Sequence, residues 1–165
     1  MNHPTVEEFI AALGRDSESQ ELGIVFSKIG IQVQNLDDYR LGVSGHRIWA
    51  DDAAGLQLEF KDVGLLSEMP YHDIYDGPWA LTDVIFWGWR KDTGTEYAGP
   101  LPCGLNFLMS RDQVRSELPA DLGAPTVFGF SGNVDEWMLG KLNLDVDYDG
   151  EKGLRCISLG LPEEN

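Results

Sequence analysis

Basic residues are scarce in this chain relative to acidic ones. Twelve lysines and arginines stand against 28 aspartates and glutamates, a formal net charge of −16 at pH 7. The deficit is uniform: residues 1–90 carry 15 acidic and 6 basic groups, and residues 91–165 carry 13 and 6. That pattern excludes an acidic tail on a neutral domain, so the whole surface is expected to be negative. Such a surface repels nucleic acid and anionic membranes and attracts basic proteins or cations. Long apolar runs are missing too, and none approaches the ~18–20 residues of a membrane span. The opening "MNHPTVEEFIAAL" has no basic stretch followed by an apolar core, so no secretory signal is expected and cytoplasmic residence is the default. The only two cysteines, Cys103 and Cys156, are then expected as reduced thiols.

Catalytic and metal motifs are equally scarce. The three histidines are His3, His46 and His72, and none stands in an HExxH or beside a cysteine at metal-ligand spacing. No GxSxG, Walker-type or GxGxxG loop occurs. Adjacent acids such as Asp37-Asp38 and Asp51-Asp52 lie in polar turns, where solvation is the ordinary role. The expectation is a protein that is not an enzyme and needs no cofactor. The alternative is a carboxylate-dependent hydrolase built on a pair such as Asp51 and Asp52.

One stretch of acid demands an explanation of its own. In "LNLDVDYDGEKG" (142–153) Asp145, Asp147 and Asp149 recur at every second position before Gly150, as in the first half of a calcium loop. Position 12 of that loop would be Cys156, which cannot clamp a hard cation, and no helix-forming sequence flanks the segment. A strand explains more. With period two, Leu142, Leu144, Val146 and Tyr148 point to a core, while Asn143, Asp145, Asp147 and Asp149 point away. Like charges so aligned are costly unless they are solvated or meet a cation.

The remaining chain divides into elements. "TVEEFIAALG" (5–14) has Val6, Phe9, Ile10 and Leu13 at helical spacing, Thr5 as cap and Glu8 three residues on. "ESQELGIVFSKIG" (18–30) repeats the pattern and ends on Gly30. Strands are predicted at 46–50, 55–62 and 81–90, with a loop over 66–79. "RKDTGTEYAGPLPCG" (90–104) marks a boundary between lobes at 1–90 and 91–165, the alternative being one continuous domain. Beyond it, Ser110 caps "RDQVRSEL", Pro119 stops that helix, and strands are predicted at 136–139, 141–149 and 154–161. The halves resemble each other. Trp49 and Trp137 mark the first strand of each, Leu56-Leu58-Phe60 matches Leu142-Leu144-Val146, and 81–85 matches 154–158. A duplicated helix–strand–strand–strand unit implies a two-layer α+β fold, an antiparallel sheet with helices on one face and the other face open.

If Val84 and Phe86 face inward, Asp83, Ile85, Trp87 and Trp89 face out, too apolar for an idle surface. Tryptophan beside aspartate suits an interface with a basic partner. The competing reading packs Trp87 and Trp89 against the other lobe.

The run "LPCGLNFLMSRDQVRSEL…LGAP…WMLGKLNLDVDYDGEKGLRCISL" resembles two related groups over residues 100–162. One is the SmpA/OmlA-type lipoprotein and β-lactamase-inhibitory-protein fold. The other is the bacterial immunity proteins encoded beside polymorphic or type VI secreted toxins. "PAD" after the helix lengthens the exit these groups show, and no lipoprotein signal is present. The resemblance implies an inhibitor: a cytoplasmic immunity protein that neutralises a toxin, most simply a basic nuclease domain. Its expected contact residues are Asp145, Asp147, Asp149 and Glu136 on the acidic face, with Asp83, Trp87 and Trp89 at the aromatic edge. A non-catalytic adaptor or assembly factor is the other alternative.

Overall fold

The computed structural model describes residues 2–38, 44–67 and 69–163. Its helices form where the sequence supplies caps. Thr5 Oγ1 accepts from Glu8 N while the Glu8 carboxylate accepts from Thr5 N, and this reciprocal pair starts α1 (Val6–Ala12). Ser19 caps α2 (Gln20–Ile29), which Gly30 ends in the left-handed conformation at φ 83°. Asp62 caps the short α3 (Val63–Leu66). Ser110 and Gln113 rebuild the reciprocal box at α4 (Arg111–Glu117), and Pro119 follows its end.

Among the described residues eight strands form one antiparallel sheet: β1 (Asp37–Asp38), β2 (His46–Asp51), β3 (Leu56–Asp62), β4 (Trp79–Trp87), β5 (Thr126–Phe128), β6 (Val134–Leu139), β7 (Leu142–Asp147) and β8 (Cys156–Gly160). The class is α+β, as the alternating patterns required. The strand order, β1-β2-β3-β4-β8-β7-β6-β5, reads the same from both edges when the first four strands are matched to the last four. Trp49 lies opposite Leu58 and Trp137 opposite Leu144, so the segments that match in sequence hold matching places in their hairpins. β4 and β8 meet at the centre, in register from Asp83↔Gly160 to Trp87↔Cys156.

Alternation assigns the two faces. Leu56, Leu58, Phe60, Val84, Phe86, Leu144, Val146, Ile157 and Leu159 are fully buried. The Phe9 ring meets Phe86 edge-on at 5.6 Å and Phe26 meets Phe60 at 5.8 Å, which sets α1 against β4 and α2 against β3. Val114 of α4 is buried in the same core. The intervening residues Gln57, Glu59, Asp83, Ile85, Asn143, Asp145 and Ser158 are half-buried on the opposite face.

Several boundaries differ from the sequence reading. The loop expected over 66–79 is shorter, because α3 occupies 63–66 and Trp79 is already the buried first residue of β4, under the Arg47 guanidinium at 4.3 Å. β4 stops at Trp87, so Trp89 lies outside the sheet. β7 stops at Asp147, and Asp149 leaves the sheet with the 148–155 connection. The short edge strands β1 and β5 have no apolar alternation to announce them.

A carboxylate of β6 faces the core side. Asp135 of β6 is fully buried and takes Arg111 Nη2 at 2.6 Å, Arg115 Nε and Nη2 at 2.8 Å each, and the Tyr148 hydroxyl at 2.8 Å. Burial alone would raise its pKa; hydrogen bonds from Arg115, Arg111 and Tyr148 outweigh that and hold it well below the usual carboxylate range. These bonds pin α4 to β6. Asp135→Asn is expected to cost about 2–4 kcal/mol in urea unfolding at neutral pH. That is at or just below the ~3–5 kcal/mol of a broken buried pair, because the arginine side chains stay 33% and 39% exposed and are partly solvated. A depressed folded pKa means that this contribution is complete above the unfolded value of ~4 and is lost as pH falls below it. The parent should therefore lose stability between pH 4 and 2 more steeply than the variant.

Candidate functional site

The candidate site is the open face of the sheet where its two halves join. Cross-strand register brings the residues together: Glu59 faces Asp83 across β3 and β4, and Glu136 faces Asp145 across β6 and β7. Between these pairs runs β8, whose Gly160 and Ser158 carry little side chain. Gly160 is opposite Asp83, and a Cβ there would collide with Asp83 Oδ1, so the glycine gives the carboxylate room to lie across β8. The result is a groove of about 500 Å³ lined by Asp83, Glu136, Asn143, Asp145, Ser158 and Gly160 on its floor, with Phe128 and the C-terminal Leu161–Glu163 at its margins.

The electrostatics of the groove are unbalanced. Asp145 Oδ1 is shut away from solvent with no hydrogen-bond donor. Burial first, then the Glu136 carboxylate beside it and Asp83 beyond, push the Asp145 pKa up to about 8. Burial also raises Asp83, against the opposing pull of Thr82 and Lys61, and Glu163 adds to the rise. Glu59 is raised by burial and by Asp83. An extra residue in β4, the bulge opposite Glu59/Phe60, turns Thr82 so that its hydroxyl bonds Glu59 O at 3.2 Å.

The seven expected contact residues therefore separate. Asp83, Glu136 and Asp145 share the groove. Asp147 lies on the same face one pair further along, but its Oδ1 already accepts from Asn133 Nδ2 at 2.9 Å and Asp149 N at 3.0 Å. Asp149 is exposed and sits 3.8 Å from Arg155. Trp87 is on the open face opposite Cys156, with its indole nitrogen donating to Gln57 at 3.3 Å and Arg90 stacked over its ring at 4.8 Å. Trp89 stands apart under Lys152 Nζ at 4.0 Å, beside a smaller cavity of about 150 Å³. Both tryptophans already carry a cation of their own chain.

Asp51 and Asp52 serve locally. Asp51 Oδ1 accepts from Ala54 N at 3.1 Å in the hairpin turn, and Asp52 lies 3.6 Å from Arg90. Cys103 and Cys156 are free thiols, and burial pushes Cys156 up to about 12. Sequence reasoning missed Glu59, Phe128 and Glu163. Glu59 was legible as the wet position of an alternating strand; Phe128 and Glu163 reach the groove only through tertiary folding.

No known protein family, curated protein or solved structure matches this chain.

A carboxyl whose folded pKa is raised from about 4 to about 8 stabilises the fold least when ionised. Its relative stabilisation is complete below the unfolded value and is lost as pH rises through the folded one. Asp145→Asn should stabilise the protein by about 1–3 kcal/mol above pH 8, the scale of an unsatisfied buried polar group. The gain should fade towards pH 5, as read by urea unfolding across that range.

Proposed function

We propose that this chain is an immunity protein, a non-catalytic inhibitor that binds a toxin effector in the cytoplasm through its open sheet face. The target best matched to that face is a basic nuclease domain. The observation that supports this most directly is the groove at the β4–β8 junction. Four carboxylates, Asp83, Glu136, Asp145 and Glu163, line one concavity, and no lysine or arginine among the described residues lines it. Burial and mutual repulsion raise the Asp145 and Asp83 carboxyls, so ionising them within the groove is penalised and Asp145 holds a proton at neutral pH. A lysine or arginine from a partner would remove that penalty on binding, so association returns what folding left unsatisfied. The net charge of −16 adds long-range attraction to a basic domain and accelerates encounter. No helix among the described residues is long and apolar enough to cross a membrane.

One observation favours a second reading, a carboxylate-dependent hydrolase. Glu136 and Asp145 form a facing pair beside a groove, and a carboxyl near pH 8 is poised as a general acid. On this reading the chemistry would lie at Glu136 and Asp145 rather than at Asp51 and Asp52. The two readings separate by salt and turnover. Binding to a basic protein weakens with ionic strength and consumes nothing, whereas a hydrolase turns over a small substrate and loses this on Asp145→Asn.

Titration calorimetry against the C-terminal domains of secreted toxins checks the first reading. The expected result is nanomolar binding to one basic nuclease domain, weakened roughly tenfold or more between low and physiological salt, as for electrostatically steered partners. Asp145→Lys should weaken it by a further ~2–5 kcal/mol. Absence of binding to every basic toxin domain, or binding indifferent to salt, would sink the reading.

A further inference from the structure

The groove is not the only part of this surface that looks unfinished. Six of the thirteen large apolar side chains left exposed among the described residues lie within residues 63–76: Leu65, Leu66, Met69, Tyr71, Ile74 and Tyr75. Monomeric proteins rarely concentrate exposed apolar side chains in this way without a use for them. Leu65 and Ile74 sit side by side over Gly45, where a Cβ would collide with both. Tyr71 is fully exposed and holds φ 61°, a left-handed conformation that a tyrosine adopts only at a cost. A glycine or asparagine would meet the backbone requirement there more cheaply, and the exposed ring contributes nothing to the core.

The segment is also held in shape. Asp62 is fully buried and accepts from Gly64 N at 2.7 Å and Gly77 N at 2.8 Å, while His72 Nε2 lies 2.5 Å from its Oδ1. One carboxylate thereby ties the start, the middle and the end of the loop. Val63 N bonds Pro78 O at 3.1 Å and closes its base. A surface loop anchored at three points presents its side chains at little further entropic cost.

Leu65 and Leu66 border a second cavity of about 660 Å³, which shares Asp83 and Leu161–Glu163 with the acidic groove and is also lined by Thr82 and by one cation, Lys61. The apolar loop and the carboxylates are therefore continuous around the C-terminal segment. From this continuity we propose that residues 63–76 are the apolar anchor of the docking surface for a basic protein domain, with Tyr71 and Met69 entering an apolar recess on that partner. The inference rests on the immunity-type reading above. Charge selects the occupant: Asp73 and Asp76 lie within the loop and four carboxylates lie beside it, which suits a basic domain and disfavours a second copy of a chain carrying −16. Aromatic and methionine side chains are those that interface centres favour, and the flanking acids form the polar rim.

The test compares a loop variant with a groove variant, each titrated against the basic nuclease domains of secreted toxins. Met69→Ser/Tyr71→Gly should melt no lower than the parent, since neither ring nor thioether is buried. It should weaken binding roughly tenfold to a hundredfold at low and at high salt alike, the range of a lost apolar hot spot. Glu136→Gln/Asp145→Asn should instead reduce the dependence on salt. Salt-sensitive binding of a basic domain that the loop variant leaves unchanged overturns this inference and spares the wider reading. Failure of every basic domain to bind the parent overturns both. Self-association of the parent that the loop variant abolishes overturns the inference as well, since the patch would then be covered by a second copy.

Discussion

The ladder between β4 and β8 is the interaction on which the rest of the molecule depends. Each half contributes a run of antiparallel strands that buries one face, and a half-sheet so small would leave both its inner edge and much of its core exposed. Pairing Asp83–Trp87 with Cys156–Gly160 removes both exposed edges at once and merges the apolar faces. Phe86, Val84, Ile157 and Leu159 then lie in one continuous layer under the helices. The same pairing brings the wet positions of both halves to one place, among them the acids Glu59, Asp83 and Asp145. The groove is thus a consequence of how the fold closes.

Three aspartates show how strongly surroundings decide what a carboxylate does. Asp135 is buried among two arginines and a tyrosine hydroxyl and is kept ionised, and it fastens α4 to the sheet. Asp62 is buried among two backbone amides and His72, and it fastens the 63–78 connection. Asp145 is only half-buried, yet its sheltered oxygen has no donor and its neighbour is another acid. The first two complete the structure from within. The third is complete only when something cationic arrives or a proton binds, which makes it the reactive member of the set.

Charge and apolar surface divide the labour on the proposed docking face. Carboxylates attract and orient a basic partner over distance, but exposed or rim charges contribute little to final affinity. Burial of aromatic and aliphatic side chains supplies most of that affinity. The acidic groove and the 63–76 loop lie on either side of Leu161–Glu163, so one partner is able to engage both. The tryptophans that look most like anchors in the sequence are already half-covered by Arg90 and Lys152.

The sequence alone determined three of the four α-helices among the described residues, the class and the facing of the strands. The reciprocal caps at Thr5/Glu8 and Ser110/Gln113, the terminator Gly30, and the alternation in 56–60 and 142–147 act over a few residues, so they are legible without a fold. The duplicated pattern also foreshadowed the palindromic strand order. Tertiary structure decided which acids meet. Asp83 and Asp145 are 62 positions apart in the chain and come to one groove because β4 and β7 both pair with β8. Asp147 and Asp149, indistinguishable from Asp145 by period, are diverted by local donors at Asn133 and Arg155. Burial and long-range register set the charge state of each carboxylate, and neither quantity is written in any short stretch of sequence.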